Sequence, residues 1–200
     1  MPLIAAVYSS GKVATGTHHG EAFSKLDPNE HEGDILSGFL DSDTGHFQGD
    51  GQDFYVKEII MIRHASCMDG EDPPLNPQGY DQITKVVEKL IQMDLDGYLA
   101  FTSPARRCTD TAFWINYWLH RKGLTPLEFS ICDNIYESHH IPEETLDHLP
   151  AKSLLVTHSD IINELAYTAT GKKVQNYTVL PNASLTIVKN QQIVCFGKRT

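Results

Sequence analysis

Three apolar runs in the second half of the sequence each end in polar side chains that suit an oxyanion. Arg63 and His64 follow EIIMI, Ser103 and Arg107 lie in the SPARR that follows YLAFT, and His158 follows SLLVT. Arginine offers a planar fork of N–H groups, and histidine can act as a nucleophile or as a hydrogen-bond donor. A tetrahedral phosphate is the ligand that such a set of donors fits, so the predicted chemistry is phosphate binding or phosphoryl transfer.

The elements that would position these side chains alternate along the chain from Lys57 onward. Strands are predicted at EIIMI, YLAFTS, FSICD, SLLVT and SLTIV, with QQIVCF as a final hairpin partner, and helices over residues 77–93, 105–120 and the segment DIINELAYTAT. This pattern is typical of βαβ units and predicts a three-layer α/β/α fold around a mostly parallel sheet. Residues beyond the carboxyl ends of parallel strands share one crevice, so the polar groups are expected to meet there.

Residues 1–56 have a different composition, with two lysines against nine acidic residues. The segment IAAVYSSGKVATG indicates a hairpin, GFLDSDTGHF indicates a second pair of short strands, and Thr17 is a candidate start of a short helix. We therefore expect a small acidic N-terminal β-rich appendage, followed by a catalytic domain over residues 57–200. Two roles are open for the appendage: covering the pocket to select substrate, or mediating oligomerisation.

Overall composition narrows the function classes. A net charge of −10 disfavours a broad landing surface for nucleic acid or for an anionic membrane. The four cysteines contain no Cys-x-x-Cys pair, which disfavours a zinc knuckle or a disulfide framework. There is neither an apolar stretch of roughly 18 residues nor a typical signal peptide. The expectation is a soluble, cytoplasmic protein that needs no cofactor.

The motifs RHAS, DPPLNPQGYDQ, SPARRCTDTA and VTHSDIINELAYTATG occur in this order. With them the chain resembles the histidine phosphatase (phosphoglycerate mutase-like) superfamily over about residues 57–190. The short catalytic part, the alanine after the Arg-His pair and the compact ending VLPNASLTIV are most similar to small bacterial phosphohistidine phosphatases of the SixA type. The resemblance implies a metal-independent phosphatase that works through a phosphohistidine intermediate.

The same resemblance implies roles for single residues. His64 would be the nucleophile, and Arg63, Arg107 and His158 would surround the transferring phosphoryl group. The family arginine lies four residues after the serine of Ser-Pro-x-x-Arg, which selects Arg107 and leaves Arg106 at the surface or on the rim of the substrate site.

The leaving group needs a proton, and three carboxyl groups are candidates for the donor. Glu137, in NIYESHH, lies where the family often places its acid, and Asp69 and Glu71 follow His64 on the next loop. Small phosphohistidine phosphatases often lack this acid, because a phosphohistidine leaving group needs less help.

Further substrate contacts are predicted around the catalytic pair. Ser66 and Cys67 are expected to touch phosphate through a side chain or a backbone N–H, and His139 is a candidate for the pocket rim. The substrate would be either a phosphohistidine-bearing protein or a small phosphomonoester.

Two other function classes remain open at this point. THHGE, DSD and ESHH contain metal-ligand residue types and allow a metal-dependent hydrolase, although neighbouring histidines point apart on regular elements. A non-catalytic phosphate-binding module is the third class.

Overall fold

The computed structural model describes residues 57–136, 144–171, 177–189 and 191–199 with their side chains. It also describes the backbone of residues 142–143 and of six short strands that precede residue 56. Those strands are β1 (Ile4–Tyr8), β2 (Val13–Gly16), β3 (Ile35–Leu36), β4 (Phe39–Leu40), β5 (His46–Gly49) and β6 (Gln52–Tyr55).

The N-terminal strands form two three-stranded antiparallel sheets, in the orders β2-β1-β3 and β4-β5-β6. The two predicted strand pairs correspond to β1 with β2 and to β4 with β5. The helix predicted near Thr17 lies outside the described residues. The division of the chain at residue 56 remains a prediction.

Six longer strands form one mixed sheet in the order β12-β11-β7-β10-β8-β9. They are β7 (Glu58–Arg63), β8 (Leu99–Thr102), β9 (Phe129–Ile131), β10 (Lys152–Thr157), β11 (Leu185–Lys189) and β12 (Gln192–Lys198). Strands β7, β10, β8 and β9 run parallel, whereas β11 is antiparallel to β7 and forms a hairpin with β12. The predicted α/β fold with a mostly parallel sheet is confirmed.

Four helices accompany the sheet: α1 (Pro77–Leu90), α2 (Arg106–Arg121), α3 (Pro142–His148) and α4 (Ser159–Thr168). Successive side chains of a strand point to opposite faces, and β7 shows both faces in use. Ile60 and Ile62 pack in a buried cluster with α1 and α2. Ile59 and Met61 pack in a second cluster with α3 and α4. Helices therefore cover both faces of the sheet, as a three-layer arrangement requires.

Helix α1 begins where its sequence predicts. The side chain of Asn76 caps the helix by accepting a hydrogen bond from the Gly79 amide, and Pro77 occupies the first turn, where its missing N–H costs nothing. Its aliphatic residues repeat at helical spacing and are buried, namely Ile83, Val86, Val87 and Leu90. Burial of each such side chain stabilises the fold by about 1.5–3 kcal/mol.

The register of the central strands carries the polar strand ends to one edge. Arg63, the last residue of β7, pairs with Thr157, the last residue of β10. The chain therefore delivers His64 and His158 side by side, about one strand spacing apart. Among the described residues, no helix is long and apolar enough to cross a bilayer.

Candidate active site

Four polar side chains meet where β7, β8 and β10 end. Arg63 ends β7 and His64 follows it, Arg107 lies in the first turn of α2, and His158 is the N-cap residue of α4. The rings of His64 and His158 have their centroids 5.5 Å apart. His64, Arg107 and His158 are all buried, and Arg63 is partly buried. Four of the five predicted catalytic side chains therefore lie near one another at this edge of the sheet, and the fifth, Glu137, lies outside the described residues.

The environment of His64 selects one form of its imidazole. Nδ1 lies 2.9 Å from the carbonyl oxygen of Ala65. A carbonyl can only accept, so Nδ1 carries the hydrogen and Nε2 keeps its lone pair. Burial is the main cause that lowers the pKa of His64 to about 4, and the charge of Arg63 is a smaller one. At neutral pH the ring is uncharged, with Nε2 available as a nucleophile.

His158 has the opposite tautomer, which its neighbours dictate. Nη2 of Arg107 lies 3.3 Å from Nδ1, and a guanidinium can only donate, so Nδ1 accepts. The hydrogen of the neutral ring is then on Nε2, which lies 3.0 Å from the hydroxyl oxygen of Ser103 and donates to it. Burial is the first cause that lowers the pKa of His158 to about 4, followed by the charges of Arg107 and Arg63. Two neutral histidines thus lie between two arginines, a combination that attracts a phosphate dianion.

The side chain of Arg63 is oriented by a backbone carbonyl that precedes β11. Nη1 of Arg63 donates to the carbonyl oxygen of Leu180, in the segment that leads into β11. The side chain of Leu180 packs against Gly197, where an added Cβ would lie only 2.6 Å from Leu180 Cδ2. The Leu180 carbonyl that accepts from Arg63 is therefore held in place by the close packing of Leu180 against Gly197.

The backbone after His64 is fixed by hydrogen bonds to α2 as well. The Ala65 amide donates to Oγ1 of Thr111 over 3.0 Å, and that hydroxyl donates in turn to the carbonyl of Arg107 over 2.6 Å. Thr111 is fully buried. One side chain therefore connects the loop that carries the nucleophile with the helix that carries Arg107.

Two clefts flank His64. The smaller has a volume of about 180 Å³ and lies between Arg63, His158 and the exposed side chains of Tyr177 and Val179. The larger has a volume of about 330 Å³ and is lined by Arg107 and by the loop after the nucleophile, namely Cys67, Met68, Asp69, Gly70, Glu71 and Pro73. His64 lines both clefts.

The other predicted substrate contacts have different surroundings. Cys67 lines the larger cleft. The Ser66 amide donates to Gln82, and its hydroxyl accepts from Asn76, so both groups are engaged within the protein. Arg106 is exposed and lies 3.8 Å from Asp110 in an ion pair along α2.

Two of the three candidate proton donors lie within the described residues. Asp69 and Glu71 are exposed and line the larger cleft beside His64. Glu137 and His139 lie outside the described residues. Within the described part of the chain, no group of three His, Cys, Asp or Glu side chains could hold a metal ion.

Some residues of the site were not singled out by sequence reasoning. Thr111 accepts from the Ala65 amide and donates to the Arg107 carbonyl, Gln82 accepts from the Ser66 amide, and both lie inside the motifs that carry the family resemblance. Their position in those motifs was the available signal. Tyr177 and Val179 carry no such signal, because they lie on a loop without periodicity.

Part of the sequence matches a known protein family. The model of the histidine phosphatase superfamily (branch 1) matches residues 59–128, a segment that contains Arg63, His64 and Arg107. A search of curated proteins finds no significant sequence match. The family match confirms the resemblance that the motifs predicted.

Solved structures with the same fold include several phosphatases. A candidate phosphohistidine phosphatase SixA from Agrobacterium tumefaciens is 16% identical, with a TM-score of 0.53, over 68% of this chain and 92% of that one. The product of a Mycobacterium tuberculosis open reading frame is 18% identical, with a TM-score of 0.51, over 70% and 97% of the two chains. The mycobacterial glucosyl-3-phosphoglycerate phosphatase, in complex with VO3, is 19% identical, with a TM-score of 0.50, over 66% and 92%.

These likenesses show that the fold is shared, and the family match connects the fold with a class of enzyme. Over residues 59–128 the chain is similar to phosphatases of the histidine phosphatase superfamily, and it shares their fold.

Proposed function

We propose that this protein removes a phosphoryl group from its substrate by transferring it to Nε2 of His64, without a metal ion. The observation that carries the proposal is the form of the His64 ring. Its Nδ1–H is bound to the Ala65 carbonyl, so the lone pair of Nε2 is available beside two clefts that Arg63 and Arg107 border. A neutral imidazole among buried cations is what nucleophilic attack on a phosphate anion needs.

In the first step Nε2 of His64 attacks phosphorus, and the N–P bond forms as the bond to the leaving group breaks. Arg63 and Arg107 donate N–H groups to the equatorial oxygens, whose charge they stabilise more strongly in a buried site than in water. The phosphorylated ring retains the proton on Nδ1, where the Ala65 carbonyl stabilises it.

In the second step a water molecule attacks phosphorus, the N–P bond breaks, and inorganic phosphate leaves with Nε2 restored. An acidic side chain would protonate the first leaving group and later take the proton of the water. Asp69 and Glu71 are suited by their position in the larger cleft, and Glu137 remains a candidate on the family resemblance.

The donor can be identified by comparing leaving groups. The variants are Asp69→Asn, Glu71→Gln and Glu137→Gln, each tested with phenyl phosphate and with p-nitrophenyl phosphate. Loss of the true donor slows the ester with the poorer leaving group by about 10²-fold and the nitrophenyl ester much less. A variant that slows both esters equally is not the donor.

Of the two substrate classes, we rank a phosphohistidine-bearing protein first. Met68, Tyr177 and Val179 border the clefts with 54%, 61% and 81% of their surface exposed. An apolar rim of this kind suits contact with a macromolecular surface around the phosphorylated side chain. A small phosphomonoester is the second class, and a comparison of kcat/KM for the two substrates decides between them.

The proposal is tested by hydrolysis of p-nitrophenyl phosphate by the wild type and by His64→Ala, in chelator, with and without vanadate. We expect activity that survives the chelator, is inhibited by vanadate and falls by about 10³-fold or more in the variant. An acid-labile, base-stable phosphoenzyme should accumulate in the wild type on rapid quenching.

Other results would select other classes. Activity that the chelator removes but His64→Ala retains would establish a metal-dependent hydrolase. Phosphate binding without hydrolysis of any ester or phosphohistidine would establish a phosphate-binding module.

A further inference from the structure

We propose that Gln82 is a positioning residue that selects the reactive tautomer of His64. It acts through the single peptide group that joins Ala65 to Ser66. The structural part of this inference stands on hydrogen-bond geometry alone, whereas its effect on the reaction rate rests on the proposed function.

The Ala65–Ser66 peptide group is bound at both of its polar ends. Its carbonyl oxygen accepts the hydrogen of His64 Nδ1 over 2.9 Å, and its N–H donates to Oε1 of Gln82 over 2.9 Å. Because the peptide group is planar and rigid, the orientation of its N–H determines the orientation of its carbonyl. Gln82 therefore fixes the direction from which the carbonyl meets the imidazole.

The same arrangement strengthens the bond to the nucleophile. An amide whose N–H is hydrogen-bonded is polarised and becomes a better acceptor at its oxygen, so the two bonds support each other. The neighbouring peptide group, between His64 and Ala65, is held separately because its N–H donates to Thr111. Gln82 is thus specific for the peptide group that controls the tautomer.

Helix α1 holds Gln82 at the required distance from the loop. The Asn76 side chain caps α1 and also donates to the Ser66 hydroxyl over 2.9 Å and to the Cys67 carbonyl over 3.0 Å. Gly79 allows the helix to approach, because an added Cβ would lie 2.2 Å from the Ser66 carbonyl oxygen. Gln82 is one turn further along the same helix and is partly buried.

Removal of the Gln82 acceptor has a chemical consequence. The Ser66 N–H then lacks its acceptor, and the peptide group rotates until the N–H meets another one. After this rotation the Ala65 carbonyl no longer holds the hydrogen on Nδ1 of His64. The imidazole can place its hydrogen on Nε2 instead, and in that form the lone pair is not available for attack on phosphorus.

Three variants separate this role from a general contribution to folding. Gln82→Leu removes the acceptor at similar volume, Gln82→Glu keeps an acceptor oxygen, and Gln78→Leu is a matched control at an exposed position on α1. The readouts are the imidazole tautomer, measured from ¹⁵N chemical shifts, and the kinetics with p-nitrophenyl phosphate.

We expect the Nδ1–H tautomer of His64 in the wild type, in Gln82→Glu and in Gln78→Leu, and a mixture of tautomers in Gln82→Leu. Loss of one hydrogen bond of ordinary net strength should make kcat of Gln82→Leu about 3- to 10-fold lower than kcat of the wild type. KM should change by less than about 2-fold. A loss of folded protein alone would lower the active fraction without changing the tautomer.

Several results would overturn the inference. A pure Nδ1–H tautomer in Gln82→Leu is one, and an Nε2–H tautomer in the wild type is another. If Gln82→Leu does not fold, hydrogen exchange in the wild type decides, because rapid exchange of the Ser66 amide would show that the bond to Gln82 is absent. A tautomer change in a protein without phosphatase activity would leave the positioning role standing and reject the proposed function.

Discussion

Two adjacent arginines at the start of α2 show how strongly the site depends on single positions. Consecutive helical residues point about 100° apart. Arg107 is buried to 8% exposure against His158, whereas the Arg106 side chain is 57% exposed beside Asp110. The chain supplies both cations, and only one of them reaches the crevice.

This difference in burial predicts a large loss of activity for one of two Arg→Ala substitutions and a small change for the other. Arg107→Ala should lower kcat/KM for p-nitrophenyl phosphate by about 10²- to 10³-fold, because one buried donor to the phosphoryl oxygens is lost. Arg106→Ala should change it by less than about 3-fold, since exposed ion pairs contribute little. Inhibition by vanadate should weaken in the first variant only, and equal losses in both would contradict the geometry.

Residue types at the site were predictable from the sequence, whereas their hydrogen-bonded forms were not. An arginine or histidine directly after an apolar run can be recognised in the printed sequence, as with Arg63 and His64. Which ring nitrogen of His64 carries the hydrogen depends on the Ala65 carbonyl, and the direction of that carbonyl depends on helix α1, which begins at Pro77. Such relations arise only from tertiary packing.

At the scale of elements, helix α1 packs closely against the loop that follows His64. Gly79 is buried, and the Ser66 carbonyl occupies the space where a side chain would begin. A methyl group there must displace either the loop or the helix, and overpacking of this kind costs about 1–3 kcal/mol.

Gly79→Ala is therefore expected to lower the free energy of unfolding by about 1–3 kcal/mol, despite the higher helix propensity of alanine. Activity should fall further than stability accounts for, because the displaced loop carries His64. Urea unfolding and kcat of the folded fraction measure the two effects, with Gln78→Ala as the control on the exposed side of α1. Unchanged unfolding and activity in Gly79→Ala would show that the contact is not tight.

Helices with a clear 3.6-residue hydrophobic repeat were predictable from the sequence, whereas a short helix and the direction of one strand were not. Helices α1, α2 and α4 lie close to the segments that periodicity indicated. The seven-residue helix α3 was not predicted, because so short a segment shows little of the 3.6-residue repeat. The antiparallel direction of β11 was not predicted either, since an apolar run has the same pattern in both directions.

At the scale of the whole molecule, folding itself makes the two histidines poor bases. Both rings are buried between Arg63 and Arg107, and their pKa values are about 4 instead of the ordinary 6.5. The unfolded chain therefore binds more protons than the folded chain between about pH 4 and pH 6.5. The free energy of unfolding must rise with pH across this window, so the stabilisation is complete above about pH 6.5 and is lost as the pH falls towards 4.

We therefore predict that the protein loses on the order of 3 kcal/mol of stability per buried histidine on acidification from about pH 7 to pH 4. Urea unfolding at several pH values in this range measures the loss, to which acidic side chains also contribute. His158→Asn cannot titrate at that position and should show a smaller loss than the wild type. Inorganic phosphate should oppose the loss, since its negative charge favours protonated rings in the folded state. If His158→Asn retains the full pH dependence of the wild type, the ring of His158 is not the buried neutral group that the crevice requires.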